Sequence, residues 1–205
     1  PAGKTVYISL LTCHIAAPTN EGGDFPRSPI PNTTGASITR AADVLTIPAD
    51  GNIGLVQGTI DVEFIAPCTE INAAADLRIV EFYSAATNLF ILNIGQAADV
   101  VRVYHRGNGG GAVTFNTALG FARNSRVRLR IPYSTSLLDG VNYIILYSNI
   151  GAGWSQVGQS AVQPTAFLAG MTINVGRYNL GAFSLGSLIR RITIWNRAIV
   201  GIPSG

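Results

Sequence analysis

Gly58-Thr-Ile-Asp-Val-Glu-Phe64 and Gly186-Ser-Leu-Ile-Arg-Arg-Ile-Thr-Ile-Trp-Asn-Arg-Ala-Ile199 decide the fold class of this chain. In the first, Ile60, Val62 and Phe64 alternate with Thr59, Asp61 and Glu63; in the second, Ile192 and Ile194 alternate with Arg191, Thr193 and Trp195. A third stretch repeats the pattern, with Val127, Leu129 and Ile131 set between Arg126, Arg128 and Arg130. Period two with a single apolar face marks half-buried strands of an antiparallel sheet. Weaker signals of the same kind predict strands at 5–11, 78–84, 89–94, 100–105, 112–116, 142–148 and 171–176. Turn sequences such as Gly107-Asn-Gly-Gly-Gly111, Asp139-Gly140 and Gly151-Ala-Gly153 separate them. The one helical signal is a turn near Ala73 to Asp76. Many short strands joined by Gly-rich turns imply two packed antiparallel sheets, a sandwich or jelly roll, here one domain over 38–205.

Residues 1–37 read differently, as an irregular arm with Pro18, Pro26, Pro29 and Pro31 among Asn and Gly. Pro-rich extended chain is semi-rigid and suited to lying along a neighbour. The chain has 205 residues and a net charge of +3, with thirteen Arg and a single Lys, Lys4. Charged residues make up 12%, about half of the ~25% usual in soluble domains. From Gly140 to Ile189 the only charge is Arg177, yet Gly, Ser, Asn and Gln break the segment before ~18 consecutive apolar residues accumulate, so it is not a membrane span. So neutral a surface favours association, which implies cover by copies of the chain or by a partner; a neutral surface of Ser, Thr and Asn is the alternative. The start shows no secretory signal, and Pro1 fits removal of an initiator Met. Cys13 and Cys68 lack metal spacing and read as buried thiols of a protein made in a reducing cytoplasm.

With Thr39-Arg-Ala-Ala-Asp-Val-Leu-Thr-Ile-Pro48 and Phe25-Pro-Arg-Ser-Pro-Ile30, the opening and closing strands resemble concanavalin A-like (laminin G-like) jelly rolls of the kind carried by bacteriophage virion proteins. The resemblance spans roughly Phe25 to Ile199. It implies a concanavalin A-like, all-β sandwich in a non-enzymatic virion protein that uses no cofactor. The expected role is to decorate or cement a capsid as a homo-oligomer, a trimer at local threefold positions, with the major capsid protein as partner. The alternative is a tail-associated, lectin-like module that recognises a host surface glycan. Such modules usually sit inside long fibre chains, and the shortness of this one favours decoration. A secreted bacterial carbohydrate-binding module is the third reading, which the missing signal disfavours. The implied location is the virion, after synthesis in the host cytoplasm.

Candidate site residues follow from chemistry. Arg126, Arg128 and Arg130, preceded by Arg123, put guanidiniums on one strand face, where they repel unless anions neutralise them. Together with Arg27 of the arm they are the candidate docking surface for an acidic capsid patch or an anionic glycan. The plain structural alternative pairs them with Asp61, Glu63 or Glu81. Trp154, in or beside a Gly-rich loop, is the candidate ring for stacking on sugar, with Asn149, Gln156, Tyr178 and Asn142 as polar partners. Trp195 reads as a residue that packs against the arm or a neighbour. Nucleic acid is disfavoured by the small net charge and by aromatics that are not interleaved with the arginines. Asp61 and Glu63 have the alternation of a retaining glycosidase pair, but Ala66 stands where a third carboxylate belongs. His14 and His105 lack a nucleophile context. No zinc spacing is present; a calcium site made by loop Asp or Asn side chains stays open.

Overall fold

The structure, a computed structural model, describes residues 45–49, 51–66, 77–94, 100–122, 125–175 and 189–202. The expected arm 1–37, the strand at 5–11, the turn near Ala73, both cysteines, and Arg27, Arg123 and Tyr178 lie outside these residues. Eleven strands appear among them and no helix: β1 (Leu45–Pro48), β2 (Gln57–Ile65), β3 (Leu77–Ala85), β4 (Asn88–Ile94), β5 (Val100–Arg106), β6 (Val113–Ala118), β7 (Arg126–Ser134), β8 (Ile144–Asn149), β9 (Trp154–Ser160), β10 (Thr172–Val175) and β11 (Ile189–Trp195). They form two antiparallel sheets, one of six strands in the order β1-β10-β3-β4-β5-β6 and one of five in the order β11-β2-β7-β8-β9.

Two strands escape the apolar pattern. β1 has four residues at a sheet edge and ends on Pro48, a placement that proline tolerates because no further ladder bond is needed there. β9, Trp-Ser-Gln-Val-Gly-Gln-Ser, carries little apolar alternation because it is the edge of the five-stranded sheet. β7 runs through Pro132 to Ser134, beyond the predicted end at 131, although it is a central strand. Its ladder to β8 pairs Arg130 with Tyr147 and Tyr133 with Ile144 and skips the two positions between, so the missing proline N–H falls where that ladder is interrupted.

The inner faces of the sheets make one core. Ile60, Phe64, Leu129, Ile131, Ile144 and Leu146 of the five-stranded sheet meet Phe82, Phe90, Leu92, Ile94, Val101 and Val103 of the other. At one end of the core an aromatic cluster holds the layers together: His105 stacks on Phe167 at 4.2 Å between centroids, and Tyr133 lies 5.7 Å from both. The buried Tyr133 hydroxyl donates to the Gly54 carbonyl at 2.8 Å, which answers the usual cost of an unpaired buried polar group. Burial in this cluster pushes the His105 imidazole down to about 4, so it packs as a neutral ring. On the β6/β9 side the two sheet edges come close. A Cβ at Gly158 would stand 2.5 Å from Thr117 Oγ1 and 2.9 Å from the Phe115 ring, so glycine there lets the sandwich close.

Candidate functional site

The outer face of the five-stranded sheet carries the charged residues. Residues directly opposite one another in an antiparallel ladder share a face, and the register builds two cross-strand rows. One runs Arg191, Glu63, Arg128, Asn149, Trp154; the next runs Thr193, Asp61, Arg130, Tyr147, Gln156. The arginine pattern of β7 and the Trp154/Asn149/Gln156 set, read separately from the sequence, therefore lie on one surface.

The two rows differ electrostatically. In the second, Arg130 and Asp61 form a closed pair, bidentate at 2.6 and 2.7 Å, which raises the guanidinium's affinity for its proton. In the first, the nearly buried carboxylate of Glu63 serves three guanidiniums. Arg126 grips it through two bonds of 2.8 Å, Arg190 approaches to 3.3 Å, and Arg128 Nε stands 3.4 Å away. The hydrogen bonds from Arg126, followed by the fields of Arg126, Arg128 and Arg190, hold the Glu63 carboxyl below its ordinary 4.5 despite burial. One carboxylate among three cations leaves the row positively charged. Arg128 is the least satisfied member: its Nε is buried and makes no hydrogen bond, so the contact to Glu63 is an ion pair without directed bonding.

Beside this guanidinium lies a cleft of about 210 Å³ lined by Arg126, Arg128, Asn149 and Gly151. Asn149 Oδ1 accepts from the Gly151 N–H at 3.1 Å, which fixes the amide and leaves Nδ2 as a donor. Trp154, the first residue of β9, stands half-buried next to Asn149. Gln156 is one row away and donates to Gln159, and Asn142 is buried in the β7–β8 loop, bonded to Asp139; neither joins the cleft.

What bounds this face has no counterpart in the apolar pattern of the sequence. After β11 the chain turns back across it: the Ile199 N–H donates to Thr59 Oγ1 at 2.8 Å, Thr59 Oγ1 donates to the Arg197 carbonyl at 2.9 Å, and the Gly201 N–H donates to Tyr147 Oη at 3.1 Å. This strap lies over Tyr147, which is buried although it points away from the core, as is Ile145 on the same face. The Arg128 end stays open. Arg190 and Arg191 were also missed as site residues; their signal was the Arg doublet, which sits at a β-bulge of β11 opposite Glu63. Trp195 is 38% exposed, and the arm it is expected to pack against lies outside the described residues.

Asp61 and Glu63 do share a face, but both are tied to arginines, and Glu63 is shifted down. A general acid needs the opposite shift. Among the described residues no group of three or more His, Cys, Asp or Glu side chains comes together. A larger cleft of about 440 Å³ opens between β10 and β11 and is lined mainly by Ile173, Val175, Ile189, Ile192 and Ile194. Asn52, Arg190 and Arg191 complete its lining, so an apolar wall meets a cationic rim there.

The architecture matches solved structures. A sialidase CBM40 module of Ruminococcus gnavus, solved bound to α2,3-sialyllactose, superposes with a TM-score of 0.55 at 17% identity, covering 74% of this chain and 81% of that one. The fold is a two-sheet antiparallel jelly-roll sandwich. A leech intramolecular trans-sialidase matches with a TM-score of 0.53 at 15% identity over 74% of this chain and 23% of its own. The heptameric SAP-like pentraxin of Limulus polyphemus gives 0.50 at 14% identity over 76% and 68%. No protein-family model and no curated protein matches the sequence.

Proposed function

We propose that this jelly roll is a non-enzymatic, lectin-like module that binds an acidic glycan at the Arg128 cleft. The observation that carries the reading is the row Glu63–Arg128–Asn149–Trp154: an incompletely bonded guanidinium, a fixed amide donor and an indole side by side on an open sheet face. A guanidinium pairs bidentately with a carboxylate, an amide bonds hydroxyls, and an indole packs on the apolar face of a sugar ring. A cleft of about 210 Å³ is below the ~300 Å³ lower end of small-molecule pockets, so it takes a terminal sugar and not a whole oligosaccharide. The sialyllactose seen in the R. gnavus module supports the same ligand class.

The test is calorimetric titration with 3′-sialyllactose, other acidic oligosaccharides and lactose. Acidic sugars are expected to bind in preference to lactose. Arg128→Gln should weaken that binding about tenfold or more, the value of a charge-assisted hydrogen bond, and Trp154→Ala should weaken it for acidic and neutral sugars alike. No saturable binding of any acidic glycan would refute the reading.

The setting we propose is a bacteriophage particle, on the resemblance of the opening and closing strands. There the module would recognise host surface polysaccharide. Capsid decoration is the second reading; the low charge content of 12% favours a surface that is covered in an assembly. Antibody labelling of particles separates the two: label over the head supports decoration, and label at the tail supports receptor recognition.

A further inference from the structure

The two ends of the sandwich differ in character. The cleft lies at the end where β7 begins and β8 ends. At the other end, where β2 and β8 begin and β7 and β9 finish, the loops display Leu55, Val56, Leu137, Val141, Val162 and Leu168, all exposed, Val141 at 62% and Val162 at 61%. Backbone and side-chain bonds tie these loops into one surface: Thr135 N–H to the Val56 carbonyl at 2.9 Å, Gln163 Nε2 to the Thr135 carbonyl at 2.8 Å, and Phe167 N–H to the Leu55 carbonyl at 2.9 Å. Isolated exposed aliphatics are ordinary, but a contiguous group marks an interaction surface.

We infer that this apolar pole is an interface between copies of this chain. The charge pattern selects that occupant. Loops 51–57, 135–143 and 161–171 carry one charged side chain, Asp139. Its carboxylate is already engaged, accepting from the Val141 and Asn142 N–H groups at 3.0 and 2.7 Å and from Asn142 Nδ2 at 2.9 Å. Within these three loops a charged protein partner finds no open charge to pair with and an anionic bilayer finds no Lys or Arg; of the bordering cations, Arg106 is already bonded to the Gly110 and Ala86 carbonyls, and Arg197 lies on the strap beside Thr59. A second copy presents a surface equally neutral and apolar, as a self-complementary contact requires. At the opposite pole Arg126, Arg128 and Arg190 repel their counterparts, so copies meet by the neutral end. The Asp139 bonds also fix the loop that presents Leu137 and Val141, which lowers the ordering cost of association. Joined this way, the Arg128 clefts point outward; on the reading proposed above, two clefts then engage a glycan-coated surface with the avidity of linked sites.

The test is the mass of the full chain in solution, by light scattering and sedimentation over a wide range of concentration. The chain is expected at two or more times its 21.6 kDa, and Val141→Glu with Val162→Glu should reduce it to one copy with the same circular dichroism and melting temperature. Should the glutamates disturb folding, Val141→Ser with Val162→Ser takes their place. Arg190→Glu, at the far pole, should leave the assembly intact. A chain that stays single at every concentration, or an assembly that folded pole variants do not weaken, would overturn the inference.

Discussion

Glu63 carries two opposed duties, and substituting it separates them. Its carboxylate holds Arg126, Arg128 and Arg190 together, so Glu63→Gln leaves three cations facing one another. Because Arg126 and Arg190 are about half exposed, solvent screens the loss, and the cost is on the order of 1–2 kcal/mol and not the 3–5 of a fully buried pair. The same change removes the charge that competes with a ligand carboxylate, so acidic-glycan affinity should rise while the melting temperature falls. Titration and thermal melts of the one variant check both signs. Its pH dependence follows from the lowered carboxyl: the stabilisation is complete above the ordinary 4.5 and fades as the pH falls through the folded value. His105 acts in the same direction over a higher window. Its folded imidazole is pushed from 6.5 down to about 4 by burial, so between those values the unfolded chain binds a proton that the folded chain refuses. Stability should fall by about 3 kcal/mol as the pH drops across that window. His105→Phe, which keeps a ring against Phe167, should flatten the slope in denaturant melts taken across it.

At the scale of elements, the strap after β11 is the feature whose removal is most telling. Ending the chain at Arg197 would expose Tyr147 and strip the bonds to Thr59 and Tyr147. Uncovering one large buried side chain costs about 1.5–3 kcal/mol, so the truncated protein should melt measurably lower, while the Arg128 cleft keeps its register. β2 and β7 were legible in the sequence because each has one face in the core and the other in charge, and alternation records that difference. β1 and β9 were not: β1 has only four residues, and every residue of the edge strand β9 is partly or fully exposed, so alternation there has no sharp contrast to record. The convergence of Arg128, Asn149 and Trp154 was hidden for another reason: it depends on the β7–β8 and β8–β9 registers, which turn length and a bulge near Tyr147 determine. The strap left no periodic trace at all, because it is held by main-chain donors whose partners are distant in sequence.

For the whole molecule, a net charge of +3 understates the asymmetry between a cationic cleft end and a neutral, apolar one. Ligand binding at the first should weaken with added salt, as partly exposed charges are screened over about 8 Å at physiological ionic strength. Self-association at the second, being apolar, should hold or strengthen, and running both assays in one salt series distinguishes them. The strand order carries a kinetic consequence. β2 forms early in the chain, yet its neighbour on one side is β11, the last strand in chain order among the described residues. Until β11 arrives, β2 presents an unpaired edge to the surroundings. Non-local pairing of this kind folds in milliseconds to seconds, and exposed edges in that interval recruit other chains. Yield on refolding should therefore depend on dilution more steeply than the stability of the finished sandwich suggests, and an encounter between two half-made chains would exchange β11 before either had closed.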